Sequence, residues 1–199
     1  YRGAAPINYA LIHGDKKTGV TFMKMSAKMD AGDILFQKPV RIDRQDTLPL
    51  LEDRLARAAA RYVNLVIHRI SDRRLRAKKQ DERRVTYAPL IKKMDGLIDW
   101  RQPASRIWNR YRGCSGWPGS YTFWHGRILK IMEMTIASVW GRRGQPGAIV
   151  RCDKKALEVA TGRGTIVIRE VIPEAHKRMS AQSFLAGHPV KQGDVFKNS

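Results

Sequence analysis

The sequence predicts an α/β unit followed by a small β-barrel, and three observations carry that expectation. Residues 18–70 read as strand, loop, strand and one long amphipathic helix. Residues 71–95 are strongly basic and poor in apolar side chains. After Trp100 come about five short β-rich runs, separated by tight turn signals.

In order, Tyr1 to Ala5 reads as a loop around Gly3, and Pro6 suits the first turn of a helix that Gly14 ends. Thr18–Met25 alternates and is rich in β-formers such as Val20 and Phe22, so it is expected as a strand. A polar loop over 26–33 leads to a second strand, Ile34–Ile42, which Pro39 assigns to an edge. Thr47 is a candidate N-cap for a helix reaching Ile70, with Leu51, Leu55, Ala58, Ala59, Tyr62, Val63, Val66, Ile67 and Ile70 on one stripe. That order suits the second half of an α/β unit.

Arg73, Arg74, Arg76, Lys78, Lys79, Arg83 and Arg84 mark a basic linker or exposed arm. Beyond it, a short helix near Pro103–Arg112 precedes strands at Tyr121–Trp124, Arg127–Trp140, Ala148–Cys152, Leu157–Thr161 and Thr165–Ile172. Met179–Gly187 is expected to hold a turn or two of helix capped by Ser180.

Composition narrows the partners. The 199 residues carry 38 Lys and Arg against 18 Asp and Glu, a formal charge of +20, and 43% are hydrophobic, enough for a real core. Such a field draws polyanions, so nucleic acid is the expected partner. No basic amphipathic helix or long apolar run points to a membrane. Two cysteines, Cys114 and Cys152, are too few for a disulfide framework or a metal cluster, which makes a reducing compartment the default.

The segment Met29-Asp30-Ala31-Gly32-Asp33 sets two carboxylates on a glycine-containing loop between strands, where side chains can reach a cleft. Taken bare, Asp-x-Gly-Asp reads first as a turn, and it lacks the oxygen ligands of a calcium loop. Its surroundings add more. Tyr1-Arg2-Gly3-Ala4-Ala5-Pro6-Ile7, Ile12-His13-Gly14-Asp15, Thr18-Gly19-Val20-Thr21 and the Asp30 loop resemble, in order and spacing, the folate-dependent formyltransferases. The first run is most similar to the branch that formylates methionyl-tRNA. The likeness continues through Val85-Thr86-Tyr87, Ile98-Asp99-Trp100, Trp117-Pro118-Gly119 and Lys177-Arg178-Met179-Ser180-Ala181-Gln182.

The resemblance implies an incomplete Rossmann-like formyltransferase domain over 1–74, a basic linker over 75–95, and an OB-like tRNA-binding domain over 96–199. It implies transfer of formyl from 10-formyltetrahydrofolate to the α-amine of Met on initiator tRNA, with no metal. The family's catalytic set is an Asn, a His and an Asp, and Asp30 matches the Asp. Met29, Ala31, Gly32 and Asp33 would lie near the formyl group. The Asn and His are expected upstream of Tyr1, so residues 1–199 are not expected to formylate alone. Nothing in the spacing of His13, His68, His125, His176 or His188 makes any of them a substitute.

Arg2, Lys92, Lys93, Arg110, Arg112, Arg127, Arg142 and Arg143 are the candidate RNA contacts. Trp108, Trp117, Trp124 and Trp140 are read as core or inter-domain packing. Two other readings remain: a basic RNA-binding relative in a mitochondrial ribosomal particle, bound to ribosomal RNA, or a formyltetrahydrofolate hydrolase-like domain. The expected compartment is a mitochondrial matrix or a bacterial cytoplasm.

Overall fold

A computed structural model describes residues 1–141, 144–153 and 156–197, arranged in two compact units, Tyr1–Ile91 and Lys92–Ser199. The first opens with helix α1 (Pro6–His13), which has Pro at its first turn and ends on Gly14 at φ 74°, as Pro6 and Gly14 predict. Strands β1 (Lys17–Met23) and β2 (Ile34–Arg41) pair antiparallel, with Gly19 opposite Pro39. Helix α2 (Leu48–Ser71) follows Thr47, whose backbone is extended as a cap requires but whose side chain makes no capping bond. Asp46, one residue earlier, instead accepts from the Asp43 N–H at 2.7 Å and from Arg54.

The stripe along α2 is buried only in part. Leu51, Leu55 and Val66 are covered, whereas Ile67 and Ile70 are 54% and 48% exposed. A helix of 24 residues is about 36 Å long, more than a two-stranded ribbon of seven- and eight-residue strands covers.

Beyond Ala77 the basic stretch after α2 does not hang free. Lys78 bridges Ile34 and Tyr87 bridges Arg2, with main-chain bonds Arg2 N–H to Thr86 O at 2.8 Å and Ala88 N–H to Arg2 O at 2.8 Å. Residues 78–88 therefore belong to the first unit, and the division of the chain falls after Ile91.

In the second unit, helix α3 (Ala104–Gly113) precedes β3 (Ser120–Trp124), β4 (Arg127–Ser138), β5 (Ile149–Asp153), β6 (Ala156–Ala160), β7 (Thr165–Pro173) and β8 (Met179–Ser180). Helix α4 (Ala181–Gly187) closes on Ser180, whose hydroxyl accepts from the Ser183 N–H at 3.1 Å, the cap the sequence predicts. The β3–β4 turn is His125-Gly126, with φ of 49° and 73°, the pair of left-handed residues that a tight hairpin wants.

The strands form one antiparallel sheet in the order β3-β4-β7-β6-β5, with β8 continuing on β7. The expected barrel is not what they make: among the described residues the sheet is not closed. Its end strands meet the C-terminal tail rather than each other. Phe123 and Lys197 exchange main-chain bonds at 3.0 and 2.9 Å, and Ile149 N–H reaches Asp194 O at 2.8 Å. Trp100, Leu157, Ile166, Ile168, Phe184 and Phe196 fill the core beneath. The Trp100 indole N–H is satisfied by Thr122 Oγ1 at 3.0 Å.

Candidate functional site

Ten residues, 24–33, join β1 to β2, and the chain must fold tightly to bring Asp30 inward. The turn is closed by Lys24 N–H to Asp33 O at 2.9 Å. Gly32 is obligatory there, since a Cβ would sit 1.7 Å from Lys24 O. Asp30 takes the left-handed region at φ 52°, tolerable for aspartate at a cost of about 1 kcal/mol.

Half-buried, Asp30 aims its carboxylate back at the N-terminal segment, where Oδ2 accepts the Gly3 N–H at 2.9 Å. Gly3 itself is at φ 121° and packs so close to Ala88 that a Cβ would lie 2.7 Å from its carbonyl oxygen. Gly3 is thus held between the Asp30 carboxylate on one side and the Ala88 main chain on the other. Asp33 contributes its main chain to the turn, Ala31 is half-buried beside it, and Met29 is 74% exposed. Tyr1, two residues before Gly3, donates its hydroxyl to Asp15 at 2.7 Å and sits 2.9 Å from His13 Nδ1. Burial and the Asp15 carboxylate push the Tyr1 hydroxyl well above its usual range.

Arg2, a candidate RNA contact by sequence, is turned inward in this fold. It is 6% exposed, and its terminal nitrogens donate to Glu82 at 3.1 and 2.8 Å and to Gln80 Oε1 at 3.0 Å. The hydrogen bond to Glu82 raises the Arg2 pKa, and the same bond lowers that of Glu82. Gln80 completes the group by donating to Asp30 O at 2.9 Å and Gly32 O at 2.8 Å. Sequence reasoning passed over Gln80 and Glu82, because they lie in a run that charge alone marks as an arm. Their polar identity among so many Lys and Arg was the available signal.

The remaining basic candidates divide in the same way. Arg112 is 4% exposed and bonds Asn109 at 2.6 Å, so it too faces inward rather than to RNA. Arg110 is tied to Asp95, with Nη2 to Oδ1 at 2.8 Å. Lys92, Lys93 and Arg127 are exposed. Arg142 and Arg143 lie outside the described residues. Of the tryptophans, Trp108 and Trp124 pack against the core, but Trp117 and Trp140 are 58% and 73% exposed, contrary to the packing role expected of them. Their flanking glycines and prolines keep them on loops that the sheet cannot cover. Trp140 lies 5.7 Å from the Arg163 guanidinium. Trp117 walls a groove of about 670 Å³ with Tyr111, Tyr121, Lys93 and Lys130.

No set of three His, Cys, Asp or Glu among the described residues is arranged to hold a metal ion. Cys114 is buried, which pushes its thiol up to about 11 and leaves it unreactive at neutral pH. No helix among the described residues is long and apolar enough to cross a membrane.

Comparison with known proteins gives consistent results for both units. Residues 1–67 match the family model described as formyl transferase, and residues 90–189 match formyl transferase, C-terminal domain. The chain is 39% identical, over 98% of its length, to a methionyl-tRNA formyltransferase of Citrifermentans bemidjiense, of which it covers 60%. It is 40% identical over 96% of its length to that of Bacillus licheniformis, covering 61% of that protein. The chain thus spans about three-fifths of the curated relatives it matches. Among solved structures, HypX from Aquifex aeolicus in complex with tetrahydrofolic acid aligns over 98% of this chain and 36% of its own, at 15% identity and a TM-score of 0.67. Methionyl-tRNA formyltransferase from Clostridium thermocellum aligns over 68% of this chain and 58% of its own, at 22% identity and a TM-score of 0.53. These two likenesses speak for the α/β fold.

Proposed function

The chain belongs to the formyl transferase family, and from that premise we propose that its protein transfers formyl from 10-formyltetrahydrofolate to the α-amine of Met on initiator tRNA. Near-40% identity to enzymes named for that reaction supports it. The observation that carries it is the carboxylate of Asp30, turned inward on a tight loop and bound by the Gly3 N–H at 2.9 Å. Residues 1–91 then form the later part of a catalytic domain, and 92–199 a tRNA-binding domain built on the open sheet.

Acyl transfer from a formamide to an amine passes through a tetrahedral carbon. It needs a cation or donor facing the developing oxyanion and a group to take the amine proton. Asp30 is the acid–base partner in this reading. Its charge holds a neighbouring His in the protonated, oxyanion-stabilising form and relays the amine proton, partly through water. Met29, Ala31, Gly32 and Asp33 shape the wall beside the formyl group. The tRNA meets the exposed Lys92, Lys93 and Arg127 and, by sequence, Arg142 and Arg143. Either a bacterial cytoplasm or a mitochondrial matrix would suit this activity.

The test has two arms. The reading frame upstream of Tyr1 should encode Asn-x-His-Gly-Ser-Leu-Leu-Pro. In the protein expressed from the complete frame, Asp30→Asn should cut kcat by about 10²- to 10⁴-fold, the range of a lost acid–base group, with tRNA Kd nearly unchanged. Unaltered turnover in Asp30→Asn would remove the carboxylate from the mechanism. Absence of the Asn and His codons, with intact RNA binding, would leave a non-catalytic relative.

A further inference from the structure

Within itself the loop bearing Asp30 is held by short-range bonds, among them Ala31 N–H to Lys28 O at 3.3 Å and Ser26 Oγ to Lys28 O at 2.7 Å. Between β1 and β2 it spans ten residues, keeps a non-glycine at φ 52°, and is closed by the main-chain bond from Lys24 N–H to Asp33 O. A carboxylate that must meet a reacting amine within tenths of an ångström needs more support than that.

Gln80 supplies it from 50 residues away. Its carboxamide nitrogen donates to Asp30 O at 2.9 Å and Gly32 O at 2.8 Å, one proton to each carbonyl flanking the turn. The carboxamide oxygen accepts from Arg2 Nη2 at 3.0 Å. The orientation of the amide is fixed by its partners. Reversed, it would press its oxygen on two carbonyl oxygens and its N–H on a guanidinium.

Arg2 in turn is locked by Glu82 and is followed directly by Gly3, the residue whose N–H holds the Asp30 carboxylate. One side chain therefore ties the backbone that carries the carboxylate to the segment that orients it. Both of its donors and its acceptor are engaged.

We propose that Gln80 is a positioning residue for Asp30, setting the carboxylate for formyl transfer through its bonds to the loop and to Arg2. This rests on the formyl-transfer reading above. Gln80 does not touch substrate. Its effect is on how often Asp30 is aligned, so it enters kcat rather than substrate affinity.

The experiment uses the protein expressed from its complete reading frame, with saturating 10-formyltetrahydrofolate and charged initiator tRNA. Gln80→Leu keeps the size and loses all three bonds. Gln80→Glu keeps an oxygen facing Arg2 and loses both donors to the loop. Each should lower kcat about ten- to hundred-fold while the KM for either substrate stays within twofold. Leu55→Ala, which thins the core under α2, provides a variant of reduced unfolding midpoint for comparison and should keep kcat within threefold. The proposal is overturned if either Gln80 variant retains wild-type kcat, if the loss appears only in KM, or if Leu55→Ala at matched midpoint slows turnover as much. Should Asp30→Asn turn over normally, the formyl-transfer reading itself fails. Should Asp30→Asn be slow and Gln80→Leu fast, only the positioning role does.

Discussion

Each unit turns some basic side chains onto its own carboxylates and leaves others exposed, and the contrast is sharpest between Arg2 in the first unit and the lysines beside the aromatic groove in the second. In the first, Arg2 and Arg54 are turned onto carboxylates of their own unit, Arg2 on Glu82 and Arg54 on Asp46, each at 2.8 Å. In the second, Lys92, Lys93, Arg127 and Lys130 stand exposed, two of them on the wall of the aromatic groove. A formal charge of +20 is therefore not one signal. An arginine held against a carboxylate organises a loop, whereas an exposed lysine contributes to the field that a phosphate backbone would feel. Stability divides along the same line. The loop at Asp30 depends on a polar clamp, and the sheet of the second unit depends on apolar burial.

The largest expected effect tests that division of stability. Trp100→Ala removes a buried indole and leaves Thr122 without its donor, at a cost of about 3–5 kcal/mol. Urea denaturation should show the midpoint of the second unit falling sharply. A change below about 1 kcal/mol would mean that the sheet is not held by its core, and the contrast between clamp and core would go.

A smaller effect tests the contrast in charge. Lys93→Ala with Lys130→Ala should weaken initiator-tRNA binding and flatten the dependence of log Kd on log salt by up to about 2, roughly 0.9 for each phosphate that is no longer neutralised. Arg2→Ala should leave that slope unchanged, since its charge is already answered by Glu82. If Arg2→Ala flattened the slope as much as the double lysine variant, the inward and outward classes would not be distinct.

How much of this was readable in the sequence follows from the range of each interaction. Pro6 and Gly14 bounded α1, Ser180 capped α4, and His125-Gly126 marked a hairpin, because caps and turns are decided by a few adjacent residues. The likeness carried by Arg2-Gly3-Ala4-Ala5-Pro6 and the Asp30 loop led to the family. What could not be read was pairing at a distance. That Gln80 meets Asp30, or that Arg2 is buried on Glu82, depends on partners 50 to 80 residues apart, which no local pattern announces. Sheet closure was misjudged for the same reason: five regular strands fit a barrel equally well when a C-terminal tail takes up both ends. Exposure of Trp117 and Trp140 was missed because aromatic character predicts burial on average and says nothing of a loop that cannot reach the core.

The smallest expected effect lies where the second unit borrows the device of the first. Asp99 accepts from the Arg101 Nε at 2.8 Å, from Gln102 Nε2 at 3.2 Å and from the Arg101 N–H at 3.2 Å, stiffening the turn whose carbonyls at Trp100 and Gln102 receive the Gly162 N–H. The Arg101 guanidinium holds the Asp99 carboxyl down at about 2, below its ordinary 3.8. A carboxylate whose pKa is depressed on folding stabilises the fold above the unfolded value and loses that contribution as pH falls through the folded one. The window here is therefore about pH 4 to 2. Because the pair is substantially solvated, its worth is that of a surface bridge, under about 1 kcal/mol. Asp99→Asn should accordingly lower the urea midpoint slightly at pH 7, and the gap from wild type should shrink as the pH is brought below 4. A gap that stays constant from pH 7 to pH 2.5 would show that Asp99 acts through hydrogen bonds its amide replacement also lacks, and not through its charge.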